Sequence, residues 1–273
     1  MTKNPSMVVF TDLDGTLLDH ETYDYSAALS GLALLKRAGV PLVFCSSKTR
    51  VEQVMYHDAL GIRDPFIVEN GGAVYMEADA FDPPVGEVVE GGRYRAMVFG
   101  QTYREIRSRL IHVRYDSMPE IRGYGDLDVE TLMPLLGLDA AATRRATRRE
   151  FEETVVTPLQ GERLAVFREA LAEVGLTLNR GGRFLGVSAG NDKGRAVRAL
   201  TEVYRARDAG LVTVGIGDSW NDVPMLRAVD RPYLVQRPGG RWEDIEVAGL
   251  EKIPAIGPSG WTLAMQGLLG ARS

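Results

Sequence analysis

The chain of 273 residues is poor in the residue types that announce several common functions. It has one cysteine, Cys45, so no disulfide framework can form within it, and such usage fits a reducing, cytoplasmic compartment. Cys45 itself reads as a small buried hydrophobe of a strand rather than a nucleophile. The three histidines, His20, His57 and His112, are scattered without zinc-ligand spacing. Positive charge is not in excess: 32 Lys and Arg against 37 Asp and Glu leave a formal −5, which speaks against nucleic acid as a partner. No apolar run approaches the roughly 18 residues of a membrane span, and the opening MTKNPS is polar, so neither a membrane partner nor a targeting segment is expected. Internal repeats and low-complexity tracts are absent too.

What is present is an alternation of short apolar runs and helical patterns. Met7–Phe10, PLVFCSS and PFIVENGG read as strands. Between them, Leu29, Leu32 and Leu35 keep helical spacing up to a stop at Gly39, and a second helix covers Thr49–Leu60 and ends at Gly61. Strands about 25 to 30 residues apart with helices between them predict a parallel sheet. The rhythm returns near the C-terminus with NDKGRAVRALTEVYRARD as a helix, LVTVGIGDS as a strand, NDVPMLRAV as a helix start and PYLVQRP as a strand. The intervening segment, from RYRAMVF through a hairpin LTLNRGGRFLGVS, has the mixed character of an inserted α+β unit. Pro83-Pro84 and Gly190-Asn191 are the expected hinges.

Four polar clusters fall where predicted strands end: DLDGT (Asp12–Thr16), SSK (Ser46–Lys48), Lys193 of NDKG, and GDSWND (Gly217–Asp222). Ligands of open α/β sheets bind beyond the carboxyl ends of strands, so the four can share one pocket. Asp12 and Asp14 repel one another, and a bound cation is the natural compensation. Each cluster alone has a plain structural reading as a turn, a helix cap or a solvated lysine. Their combination in this order is what carries chemistry.

DLDGT, the serine after the second strand, the helix-opening lysine and GDSWND resemble the four motifs of the haloacid dehalogenase-like phosphatase superfamily, over nearly the whole chain. The long insertion resembles the cap of its Cof-type branch. Within that branch VFCSSKTR, FIVENGGAVY, RREFEET, GGRF and GNDKGRAV resemble the mannosyl-3-phosphoglycerate phosphatases. The expected fold class is therefore α/β, a Rossmann-like parallel-sheet core (1–83 and 189–273) with an inserted α+β cap (84–188).

The resemblance implies roles. Asp12 is the expected nucleophile and Asp14 the expected general acid and base. Mg2+ is the expected cofactor, held by Asp12, Asp14 (through its backbone carbonyl) and Asp218, with Asn221 and Asp222 holding its waters. Ser46 and Lys193 are expected on the phosphate, and Gly15 lets the backbone approach it closely. Ser47, Lys48 and Asn70 are expected near the substrate, although Asn70 also suits a turn. In the cap, Arg144, Arg145, Arg148 and Arg149 form a helical stripe ahead of Glu150, Glu152 and Glu153. Charges of this kind usually make a solvated, salt-bridged face. The resemblance turns them and the GGRF hairpin toward the site, with Arg148, Glu150, Glu153 and Arg183 as contacts to a small phosphorylated glycosyl-glycerate. Trp220 sits within GDSWND with no role that sequence supplies, and the oligomeric state is open. The alternatives are a phosphomannomutase-like isomerase, a phosphatase of another sugar phosphate such as sucrose phosphate, and a catalytically silent sensor.

Overall fold

In the computed structural model, which describes residues 7–89, 91–180 and 184–270, the apolar runs become the strands of one large sheet. In chain order the elements are β1 (Met7–Thr11), α1 (Leu29–Ala38), β2 (Leu42–Cys45), α2 (Arg50–Leu60), β3 (Phe66–Val68), β4 (Ala73–Glu77), β5 (Glu87–Val88), β6 (Tyr94–Val98) and α3 (Tyr103–Asp116). Then follow α4 (Val129–Leu136), α5 (Ala140–Ala146), β7 (Glu152–Val155), α6 (Gly161–Glu173), β8 (Thr177–Arg180) and β9 (Leu185–Ser188). The chain closes with α7 (Lys193–Arg205), β10 (Val212–Gly217), α8 (Val223–Leu226), β11 (Arg231–Gln236), β12 (Glu251–Ile256) and α9 (Gly257–Gly270). None of the described helices is long and apolar enough to cross a membrane.

The large sheet runs β12-β11-β10-β1-β2-β3-β4-β6-β5. From β12 to β3 every pairing is parallel. The last three strands are added antiparallel. β1 has no polar side because both of its faces are covered: Met7 and Val9 pack with Trp261 of α9, while Val8 and Phe10 pack with Ala196 and Leu200 of α7. Helix ends follow the expected signals. Gly39 and Gly61 terminate α1 and α2 in the left-handed conformation, and Thr49 with Glu52 forms a capping box.

A second sheet, β7-β9-β8, is antiparallel. Its Val155 and Val187 share a separate core with Ile106 and Leu110 of α3 and Phe167 of α6. Beyond residue 84, where the insertion is expected to begin, β6 pairs onto β4 and β5 onto β6, so the chain stays in the large sheet through Val98.

Candidate active site

Parallel pairing is what brings the distant motifs together. Thr11 of β1 lies opposite Ile216 of β10, and the Asp12 N–H donates to the Ile216 carbonyl at 2.9 Å. Both strands therefore end at the same edge, and Asp12 and Asp218 follow them. Oxygens of Asp12, Asp218 and Asp222 lie within 4.8 Å of one another, all three residues buried. Lys193, at the start of α7 and 1% exposed, spans two of them, with Nζ 2.8 Å from Asp12 Oδ1 and 2.7 Å from Asp222 Oδ1. Its helix is capped by Asp192, which accepts from Gly194 N–H at 2.7 Å. The other Asp222 oxygen accepts the N–H groups of Asp218 (3.0 Å) and Ser219 (3.2 Å), and Asn221 accepts from the Ser219 hydroxyl at 2.6 Å. Gly15 turns the chain beneath the cluster at φ 78°, and a Cβ there would stand 2.8 Å from Asp218 Oδ2.

The electrostatics are those of a cluster short of positive charge. Burial first, then Asp222, raises the Asp12 pKa well above the usual carboxylate range, with Lys193 opposing. Burial and Asp222 likewise lift Asp218 to about 7, against the pull of Arg237. Burial works against the Lys193 ammonium, yet Asp12 and Asp222 outweigh it and raise its pKa. The donors are all oxygens, the chemistry of a hard divalent cation, and the residues present fit one. The Asp14 side chain stands outside this cluster and pairs with Lys48 Nζ at 2.9 Å. Ser46 is fully buried at the end of β2, where its hydroxyl accepts the Lys48 N–H at 3.2 Å.

Above Asp14 the two sheets enclose a cavity of about 150 Å³, lined among others by Lys48, Ser47, Asn70, Arg149, Glu152 and Asn179. The wall is held by Glu152, whose Oε2 accepts from Asn70 Nδ2 at 2.9 Å and Asn179 Nδ2 at 3.1 Å. Asn70 sits in a left-handed turn (φ 58°) and lines the cavity. Its neighbour Glu69 is strained at φ 48°. The Glu69 carboxylate accepts the N–H groups of Glu150 (2.9 Å) and Phe151 (2.8 Å), and burial raises it to about 8. Gly72 allows the close approach here, since a Cβ would lie 2.4 Å from Phe151 Cβ.

The cap residues singled out from sequence are placed differently. Arg148 is exposed and does not line the cavity, whereas Arg149 does, donating to the Ser47 carbonyl at 2.7 Å. Glu150 is held by the Arg50 guanidinium (Nη2 at 2.9 Å) and by the Tyr75 hydroxyl at 3.1 Å. Glu153 points to the other side of β7, where it accepts from Tyr103, Arg107 and the Tyr124 N–H. Arg183 lies outside the described residues. Glu152, Thr154 and Asn179 take the cavity side, and strand alternation carried that signal: apolar Val155 shares a face with Glu153, which leaves Glu152 and Thr154 opposite. Cys45 is buried and free. His57 packs between the rings of Phe44 and Phe66 at 4.7 and 4.8 Å. Trp220 is exposed, its indole N–H donating to Glu243 at 3.1 Å.

The model of the haloacid dehalogenase-like hydrolases matches residues 9–81. Among curated proteins, the glucosyl-3-phosphoglycerate/mannosyl-3-phosphoglycerate phosphatase of Methanococcoides burtonii is 43% identical over 264 residues, covering 96% of this chain and 97% of that protein. A protein of the same name from Persephonella marina is 38% identical and covers 93% of this chain and 94% of its own. Solved structures of a Thermoplasma acidophilum protein (TM-score 0.67, 17% identity, 96% of this chain and 97% of that one) and of a haloacid dehalogenase-like hydrolase from Bacteroides thetaiotaomicron (0.66, 16%, 96% and 99%) share the fold. A match across both sheets at this identity leaves one conclusion: the chain belongs to the haloacid dehalogenase-like hydrolases, in the family of the glucosyl-3-phosphoglycerate/mannosyl-3-phosphoglycerate phosphatases.

Proposed function

We propose that this protein is a Mg2+-dependent phosphatase that hydrolyses glucosyl- or mannosyl-3-phosphoglycerate to the glycosylglycerate and phosphate. The observation that carries the reading is the meeting of Asp12, Asp218 and Asp222 around Lys193 beneath a cavity that begins at Asp14. We also place the inserted cap at about residues 99–190, which the separate core of β7, β8, β9, α3 and α6 supports.

Asp12 and Asp218, with the Asp14 carbonyl, would hold magnesium, with Asn221 and Asp222 supporting its waters; the ion would supply charge neutralisation between nucleophile and phosphate. Asp12 attacks phosphorus in line, forming an aspartyl-phosphate as the ester bond breaks. Asp14 gives its proton to the leaving glycerate oxygen, then takes one from the water that cleaves the acyl phosphate and restores Asp12. Ser46 and Lys193 stabilise the phosphoryl oxygens. In the cavity, Lys48 and Arg149 suit a glycerate carboxylate, and Glu152, Thr154 and Asn179 suit sugar hydroxyls. A phosphate-release screen over glycosyl-3-phosphoglycerates and common sugar phosphates tests this. Stoichiometric release from the former is expected; isomerisation without release would identify a mutase.

Glu152→Ala removes the acceptor for both Asn70 and Asn179. Charge-assisted bonds of this kind are worth about 1.5–3 kcal/mol, so KM for the glycosyl substrate should rise roughly ten- to a hundredfold, while Arg148→Ala stays within about twofold. Steady-state kinetics of the two variants, with p-nitrophenyl phosphate as the small control substrate, check both.

The raised carboxyls also set a pH dependence. A carboxyl whose pKa rises on folding favours the folded state while protonated and opposes it once ionised, so metal-free stability should fall as pH climbs from about 4 past the Asp218 value of about 7. Magnesium takes the ionised form, so the Tm gain it produces should grow from about pH 5 to about pH 8. A gain that does not vary with pH, in thermal melts with and without the ion, would place the cation elsewhere.

A further inference from the structure

Arg237 belongs to this site, yet nothing in the chemistry above uses it. It follows directly after β11 and opens a tight turn, Arg237–Arg241, closed by the Arg237 N–H donating to the Arg241 carbonyl at 2.8 Å and the Gly240 N–H donating to the Arg237 carbonyl at 3.0 Å. β11 pairs with β10 so that Leu234 lies opposite Gly217, which carries the turn over the loop holding Asp218. From there the guanidinium reaches back, with Nε 3.4 Å from Asp218 Oδ2. Its Nη1 donates to Glu243 Oε2, and the other oxygen of Glu243 accepts the Trp220 indole N–H at 3.1 Å. Contacts therefore run without a break from a carboxylate of the acidic cluster to a tryptophan that is 55% exposed.

Among the described residues the ion pairs divide the cluster between two cations. Lys193 takes Asp12 and Asp222, and Arg237 takes Asp218. The two cations are not equivalent. Lys193 is sealed in, whereas the Arg237 side chain is 33% exposed and is shared with Glu243. A Cβ on Gly15 would stand 2.8 Å from the same Asp218 Oδ2, so the chain passes close to the oxygen that the guanidinium approaches.

We propose that Arg237 tunes the affinity of the Asp12–Asp218–Asp222 cluster for divalent cations by competing for Asp218, and that Glu243 sets how strongly it competes. This rests on the reading that the cluster holds magnesium. A guanidinium beside a ligand carboxylate opposes a dication in two ways: it engages an oxygen, and it repels like charge. Glu243 offsets part of that charge and draws the guanidinium outward. Without Glu243, Arg237 is a stronger competitor.

The two substitutions should therefore act in opposite directions. Calorimetric titration of metal-free protein with Mg2+ is expected to show R237Q binding about tenfold more tightly than wild type, and E243Q binding severalfold more weakly. R237K, which keeps the charge and loses the planar fork, should stay close to wild type. Trp220 emission supplies a second readout: in wild type it should change with the same midpoint as the heat signal, and W220F should abolish that change. A side chain that merely held Asp218 in place would weaken binding in both R237Q and E243Q, and that result would overturn the proposal, as would unchanged affinity in R237Q. Absence of any saturable heat in wild type would be a different failure, overturning the metal reading on which the proposal stands.

Discussion

Asp12→Asn should release no phosphate from any substrate above roughly a ten-thousandth of the wild-type rate, and it should melt higher than wild type when no divalent ion is present. The two effects have one cause. The amide keeps the shape of the carboxylate and lacks the anion proposed to attack phosphorus, so the covalent route would be closed. The same anion is one of three buried carboxylates within 4.8 Å, facing a lysine already shared with Asp222. Burial and Asp222 raise its pKa well above the usual carboxylate range, so in metal-free protein its ionised form works against the fold. Neutralising it relieves that repulsion, and the Tm gain from magnesium should shrink with the loss of a ligand. Thermal melts with and without the ion, beside a phosphate-release assay, decide the matter. Surviving turnover would reject Asp12 as nucleophile, and a lower metal-free Tm would show that the cluster is not under mutual repulsion.

The core of this site was legible in sequence for a physical reason. Each of its groups is tied to the end of an element whose apolar pattern is strong: Asp12 after β1, Ser46 after β2, Lys193 at the capped start of α7, Asp218 after β10. Parallel pairing then brings strand ends together without any further information. Contacts of the cap carry no such anchor. There a shift of one residue along a strand changes the face, which is why Glu152 and not Glu153 reaches the cavity. A shift of one residue past the end of α5 separates Arg149, lining the cavity, from the exposed Arg148.

Other elements were hidden by their composition. β12 contains Pro254 and lies at the sheet edge, where a missing N–H is tolerated and no apolar alternation is required. α9 contains Gly257, Gly260, Gly267 and Gly270, which lower helix propensity, but it buries Trp261 and Met265 against the sheet, and tertiary packing overrides the local preference. β5 and β6 follow the expected hinge at Pro83-Pro84 and still join the large sheet, because β4 offers an open antiparallel edge.

Lys193→Met isolates the other half of the same electrostatic balance. Methionine fills nearly the same volume, so packing is largely kept while the cation between Asp12 and Asp222 disappears. Removing one partner of a buried ion pair costs about 3–5 kcal/mol, because the remaining charges stay uncompensated in a medium that solvates them poorly. The loss should be larger at about pH 7.5, above the Asp218 value of about 7, than at about pH 5, where protonation of the raised carboxyls of Asp12 and Asp218 lowers the negative charge left without the ammonium. Magnesium should restore part of the stability at pH 7.5 by supplying positive charge to the same oxygens. Activity should not return with it, since the phosphoryl oxygens lose the group proposed to stabilise them in the transition state. Urea unfolding at about pH 5 and about pH 7.5, with and without the ion, separates this from a packing defect. A deficit of equal size at both pH values would mean that Lys193 supports the fold through its aliphatic stem, and that the acidic cluster is neutralised by some other group.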